Sequence, residues 1–352
     1  MPLTPPAVAR TRARAAVHTL AIAAAALTGC SGGAPDAREG VALGDVSVRI
    51  ASVHHRRACL SEDGRTMMDA RPAYLVELHL RNGGAETLRY DPRHGRHRAG
   101  DPDDLRLAGG GAAVAGIIYD PGVLVDGQVG EVVSLKPGDE VRDVFVFEPP
   151  PSAVHELIFT VPAALWGKAG AAELRVAHDA GAPEKVVEHP PGEAAALGAA
   201  RVTMVGADVV LPVFRAADGR WDADTTPAVA LRYRVAAAGA AVTYDAEHGG
   251  TVAWGPVVRT GAGAVVPAVH YDGAPELRAQ LRGKVAIAAG DAREDYALYS
   301  LPPPGTDALS VELPGSLVGA PCAALFRVPY LPKPAPTRDE ALKEAAKTSP
   351  AP

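Results

Sequence analysis

The stretch that runs from Asp63-Gly64-Arg65 through Pro72 to Ala73-Tyr74-Leu75-Val76-Glu77-Leu78-His79-Leu80-Arg81 decides how this chain is built. Tyr74, Val76, Leu78 and Leu80 share one parity and Glu77, His79 and Arg81 the other, the two-residue period of a strand with one buried and one wet face. The same text returns later. Asp218-Gly219-Arg220 leads through Pro227 to Val229, Leu231, Tyr233 and Val235, with Arg232 and Arg234 facing out; positions 63 and 218, like 72 and 227, differ by 155. Tyr90-Asp91 with His94-Gly95 answers Tyr244-Asp245 with His248-Gly249, Tyr119-Asp120 answers Tyr271-Asp272, and Gly138-Asp139 answers Gly290-Asp291. The spacing narrows only from 155 to 152, so one unit is written twice with small loop deletions. Two repeats of that size are tandem domains rather than turns of a solenoid.

A chain of 352 residues, 47% apolar and 22% charged, has room for two cores. Glycine (37) and proline (32) are abundant and aromatics are 5%, so turns are frequent and the cores draw on Val, Leu and Ala. Each copy reads as short runs of Val, Leu, Phe and Tyr divided by Gly, Pro and Asp. Two packed antiparallel sheets bury such one-faced strands. The net charge is −6, and residues 1–29 contribute Arg10, Arg12 and Arg14 with no acid, which leaves −9 for the rest. An acidic body argues against nucleic acid as a partner.

The first thirty residues form an export signal: a basic start, an apolar run from Ala15 to Leu27, then Leu27-Thr28-Gly29-Cys30. That tetrapeptide resembles a bacterial lipoprotein lipobox. The resemblance implies cleavage after residue 29, a diacylglycerol thioether on Cys30, and attachment to a membrane through covalent lipid with no other cofactor. Ser31 in the next position implies the outer membrane, in its periplasmic or surface face, rather than the inner one. Residues 30–44 are then the lipidated cysteine and a flexible tether.

Leu78-His79-Leu80-Arg81-Asn82-Gly83-Gly84, Leu135-Lys136-Pro137-Gly138-Asp139 and Val144-Phe145-Val146-Phe147-Glu148-Pro149 resemble the immunoglobulin-like sandwich of secreted bacterial lipoproteins. The second copy matches less closely, with Val235-Ala236 for Arg81-Asn82 and Ala288-Ala289 for Lys136-Pro137. The expectation is an all-β chain: an immunoglobulin-like β-sandwich over 45–178, a linker over 179–199, a second sandwich over 200–330 and a disordered tail over 331–352. A polar loop is expected over 54–70, and the tail holds one short charged helical stretch from Asp339 to Lys347.

Cys59 and Cys322 remain once Cys30 is lipidated; they either pair, joining the two domains, or stay as separate thiols. Asp91, His94 and His97, and in the second copy Asp245 and His248, are imidazoles and carboxylates of loops that would hold a divalent cation. Arg93, Arg96 and Arg98 in the first loop oppose that charge, and an Asx-type turn after a strand uses the same residues. No Gly-x-Ser-x-Gly elbow, His-Glu-x-x-His pair, phosphate-cradling loop or dinucleotide fingerprint occurs. The function expected is a non-enzymatic envelope module that binds a protein or glycan, or serves a structural role. The alternative is a metal-binding lipoprotein.

Overall fold

The structure, a computed structural model, describes residues 40–92, 105–120, 122–178, 182–216, 218–246, 255–271 and 276–347. The described chain is all-β apart from short 3-10 turns and one α-helix. It divides into two compact units.

The first unit draws on the chain up to Ala58 and on Asp69–Lys185. Its strands are β1 (Val41–Leu43), β2 (Val46–Glu62), β3 (Arg65–Asn82), β4 (Leu88–Tyr90), β5 (Arg106–Gly109), β6 (Ala112–Val114), β7 (Val123–Val125), β8 (Val133–Leu135), β9 (Glu140–Phe147), β10 (Glu156–Pro162) and β11 (Ala171–Ala177), except that residues 59–62 of β2 and 65–68 of β3 group with the second unit. One sheet runs β1-β2-β3-β9 with β7 beside β2, a second runs β11-β10-β5-β6, and β4 pairs with β8. Tyr74, Val76, Leu78 and Leu80 turn inward as their parity requires and meet Phe145, Phe147, Leu157, Phe159 and Trp166 in one core. His79 departs from that parity. It is buried because the Glu140 carboxylate on the neighbouring strand takes its Nε2 at 3.0 Å and covers it.

The second unit draws on Cys59–Met68 and on the chain from Val186. Its strands are β12 (Glu188–His189), β13 (Ala194–Leu197), β14 (Ala200–Val210), β15 (Val213–Arg215), β16 (Trp221–Ala223), β17 (Ala228–Ala237), β18 (Val242–Asp245), β19 (Val257–Thr260), β20 (Lys284–Ile287), β21 (Ala292–Tyr299), β22 (Ala308–Pro314) and β23 (Ala323–Pro329). The order β13-β14-β17-β21 repeats that of β1-β2-β3-β9, and β23-β22-β19 repeats β11-β10-β5; β18 pairs with β20 as β4 pairs with β8. A 3-10 turn follows the corresponding strand in each, at Ala163–Trp166 and Gly315–Val318. Val202, Met204, Val229, Leu231, Tyr233, Val311 and Phe326 fill the core.

Several expected boundaries move. The loop expected at 54–70 is the end of a long hairpin: Asp63 and Gly64 both take positive φ (47° and 80°), the two-residue turn whose twist matches its strands. The expected linker contributes β12, which lies parallel to β23, and β13, whose Ala195 and Leu197 enter the core. The expected tether likewise contributes β1. An Ala-rich run such as Ala194-Ala195-Ala196-Leu197 alternates in burial but too weakly in hydropathy to be read as a strand.

The expected tail contains α1 (Arg338–Lys347). Thr337 and Glu340 cap it reciprocally: the Glu340 carboxylate takes the Thr337 amide at 2.7 Å and the Thr337 hydroxyl takes the Glu340 amide at 3.3 Å. Ala341 and Leu342 pack on Leu211, Val213 and Ala223. Among the described residues no helix is long and apolar enough to cross a membrane.

Candidate functional site

Cys30, His94, His97 and His248 lie outside the described residues. Asp91 and Asp245 are described, one in each unit, at the ends of β4 and β18. Asp91 is buried; its amide donates to the Leu165 carbonyl at 2.7 Å and its carboxylate lies 3.6 Å from the Arg89 guanidinium. Asp245 lies 4.0 Å from the Lys284 ammonium. Both aspartates thus face a side-chain cation. Among the described residues no group of three or more His, Cys, Asp or Glu is arranged to hold a metal.

Cys59 and Cys322 are bonded, with Cα atoms 5.0 Å apart across 263 residues of sequence. Cys59 belongs to the second unit although it precedes most of the first in the chain, so the bridge lies inside one unit.

What the fold does bring together is a set of tyrosine–carboxylate pairs at repeated positions. In the first unit the Tyr90 hydroxyl donates to Asp143 Oδ2 at 2.5 Å, and the Val129 amide donates to Oδ1 at 2.9 Å. In the second, Tyr244 donates to Asp295 Oδ2 at 2.5 Å, while the amides of Leu281 and Tyr296 donate to Oδ1 at 3.0 and 2.9 Å. Tyr233 extends this second network with a hydroxyl 2.9 Å from that of Tyr244. In the strand register Tyr233 faces Asp295 as Leu78 faces Asp143, so the extra hydroxyl replaces an aliphatic side chain.

Burial dominates the electrostatics. It pushes the Asp295 carboxyl up to about 6 in spite of the hydroxyl and amides that favour its charged form. The same desolvation, with the Tyr233 hydroxyl and the Asp295 charge alongside, pushes Tyr244 far above the ordinary phenol range.

A second pair repeats nearer the surface. Tyr119 donates to Asp69 at 2.7 Å and Tyr271 to Asp224 at 2.9 Å; each aspartate also takes an amide two residues on, Arg71 at 3.1 Å and Thr226 at 3.1 Å. Trp221 is flanked by guanidinium carbons of Arg215 at 5.9 Å and Arg278 at 5.3 Å. These carboxylates hold backbone amides and tyrosine hydroxyls.

The deep pairs were legible in one respect. In Arg142-Asp143-Val144-Phe145-Val146-Phe147 the acid shares the inward parity of Phe145 and Phe147, and its counterpart Asp295 stands 152 residues on. An inward acid needs a partner, and Tyr90 and Tyr244 are themselves repeated residues.

No family model matches the chain, and no curated protein does. Among solved structures, the yjhA protein from Bacillus subtilis aligns with 40% of this chain and 98% of its own length at 13% identity, with a TM-score of 0.27. A likeness of that size carries no argument about fold or function.

Proposed function

We propose that this chain is a lipid-anchored, non-enzymatic protein of the bacterial cell envelope, attached through Cys30 and built from two immunoglobulin-like β-sandwiches that bind an envelope protein or glycan. The observation that carries this reading is the repeated use of buried acids: Asp143 and Asp295 each hold a tyrosine hydroxyl and a loop amide. Groups spent on holding a frame are a scaffold's equipment. The copies differ instead at their surfaces, where one has a long hairpin and the other the short pair β15 and β16. The Leu-Thr-Gly-Cys sequence ending at Cys30 supports the anchor.

Crosslinking the full chain in its native envelope, followed by identification of what is joined to it, tests the binding role. A single recurrent envelope protein or glycan is the expected product, and a turnover of small substrates by the purified chain would overturn the non-enzymatic reading. Palmitate labelling tests the anchor separately: Cys30→Ala should lose both label and membrane association, and retention of both would sink the lipoprotein assignment. Elemental analysis separates the metal alternative, for which one zinc, copper or calcium per chain is the outcome required.

A further inference from the structure

The two copies differ at one point where a charge is balanced. In the first unit Arg175 on β11 holds the Glu156 carboxylate of β10 at 3.3 Å. Backbone bonds align the second unit with it: the His178 amide donates to the His155 carbonyl at 2.9 Å as the Tyr330 amide donates to the Asp307 carbonyl at 2.8 Å. Glu156 then faces Ala177 as Ala308 faces Pro329, and Ile158 faces Arg175 as Ser310 faces Arg327. The second unit keeps the guanidinium, as Arg327, and has Ala308 where the first has the carboxylate that holds it. Among the described residues Arg327 makes no ion pair and no side-chain hydrogen bond.

The place of the missing carboxylate is open. A cavity of about 410 Å³ lies there, with Ala308, Pro190, Pro191 and Pro329 as its apolar lining and Arg327, Glu188 and Asp307 as its charged groups. β12 supplies one wall: Glu188 stands beside Leu325 in the parallel register, and the chain then turns into Pro190 and Pro191. Proline fixes its own backbone and has few rotamers to lose, so this wall is set before anything binds. Glu188 and Asp307 also make no ion pair or side-chain hydrogen bond among the described residues, so neither is spent on Arg327.

The three charges choose the ligand. A plain anion meets two carboxylates, and a plain cation meets the guanidinium. A molecule with a carboxylate and an ammonium group on a short apolar stem satisfies both signs. We propose that the cavity beside Arg327 binds an amino-acid zwitterion, as a single amino acid or a dipeptide. Its carboxylate takes on Arg327 the part that Glu156 plays on Arg175, with the two-pronged geometry a guanidinium offers. Its ammonium group lies toward Glu188 and Asp307, and its stem rests on the prolines. A cavity of that volume is of the size that holds small molecules. The site goes beyond the envelope-binding reading and stands without it.

The test is saturation-transfer NMR of the purified full chain in detergent, which follows the signals of leucine and of alanyl-alanine as each is titrated. At least one should bind saturably, and the tighter of the two identifies the single amino acid or the dipeptide as the natural size. Its N-acetylated form, without the ammonium, and its C-terminal amide, without the carboxylate, should each bind about tenfold more weakly or worse. Ala308→Glu rebuilds the first unit's ion pair and should abolish the signal with the melting temperature unchanged. Arg327→Gln, at an exposed position, serves as the second variant if Ala308→Glu does not fold, and should weaken binding about tenfold. No saturable signal with either zwitterion overturns the site. So does equal binding of the blocked forms, or binding indifferent to Ala308→Glu and Arg327→Gln. Crosslinking in the envelope is unaffected by any of these results, so the two readings fail separately.

Discussion

Asp295 offers a direct check on the buried networks. Its carboxyl sits among Tyr244, Tyr233 and the core of the second unit, and burial moves it from 3.8 to about 6. A raised acid binds its proton more tightly folded than unfolded, so the folded state gains stability below about pH 4 and loses it as pH rises through 6. The span from 3.8 to about 6 corresponds to about 3 kcal/mol between the two protonation states. Asp295→Asn keeps an oxygen for the amides of Leu281 and Tyr296 and removes the titration; Tyr244 then accepts from the new amide rather than donating. Urea unfolding of both proteins from pH 4.5 to 8, followed by a probe of the second unit, gives the difference in stability at each pH. That difference should shift in favour of the variant by about 1.4 kcal/mol between pH 5 and pH 7.5, most of it below pH 6.5. A difference flat across that range would refute the claim that burial outweighs the bonds the carboxylate receives.

Three further outcomes are expected. Tyr90→Phe leaves Asp143 without its hydroxyl donor and should cost about 1–3 kcal/mol of unfolding free energy, whereas Tyr119→Phe, nearer the surface, should cost less in the same urea titration. Cys322→Ser removes a cross-link spanning 263 residues and should lower the second unit's stability by about 2–5 kcal/mol, read as a melting shift that dithiothreitol reproduces in wild type. Gly315→Ala should cost about 1–3 kcal/mol by calorimetry, because an added Cβ would fall 2.0 Å from the Cys322 carbonyl oxygen.

Legibility followed the strength of the hydrophobic contrast. The strands at Tyr74–Leu80 and Val229–Val235 alternate large apolar with charged residues, and both are buried on the stated face. The ends of the sheets were missed, because β1 and β13 are built from Val, Ala and Leu with little polar contrast, and because Arg56, Arg57 and the histidines of β2 read as a loop. The Asp63-Gly64 pair is itself the strongest short signal for a hairpin and was outweighed by the polarity around it. The copy alignment slipped by one at a strand end: Asn82 and Ala237, not Asn82 and Ala236, both donate an amide to the aspartate of the next turn. Asn82 ties Gly84, Glu86 and Leu135 through its side chain, three bonds that Ala237 cannot make.

The buried acids have a use that their pairing with tyrosine alone does not express. β9 and β21 close one end of their sheets, and an open sheet edge invites pairing with other chains. In the first unit Asp143 holds the Val129 amide while the Gln128 side chain reaches the Val144 carbonyl at 3.4 Å; in the second Asp295 holds the Leu281 amide and Gln280 reaches the Tyr296 carbonyl at 3.0 Å. Acid and amide therefore pin the same crossing segment over the same strand edge in both copies. A neutral apolar residue at position 143 or 295 would pack without the cost of a buried charge, yet it would release the segment that shields the edge. The carboxylates are placed where losing them exposes backbone, and that assigns them to keeping the sheets closed while the surfaces are left free to differ.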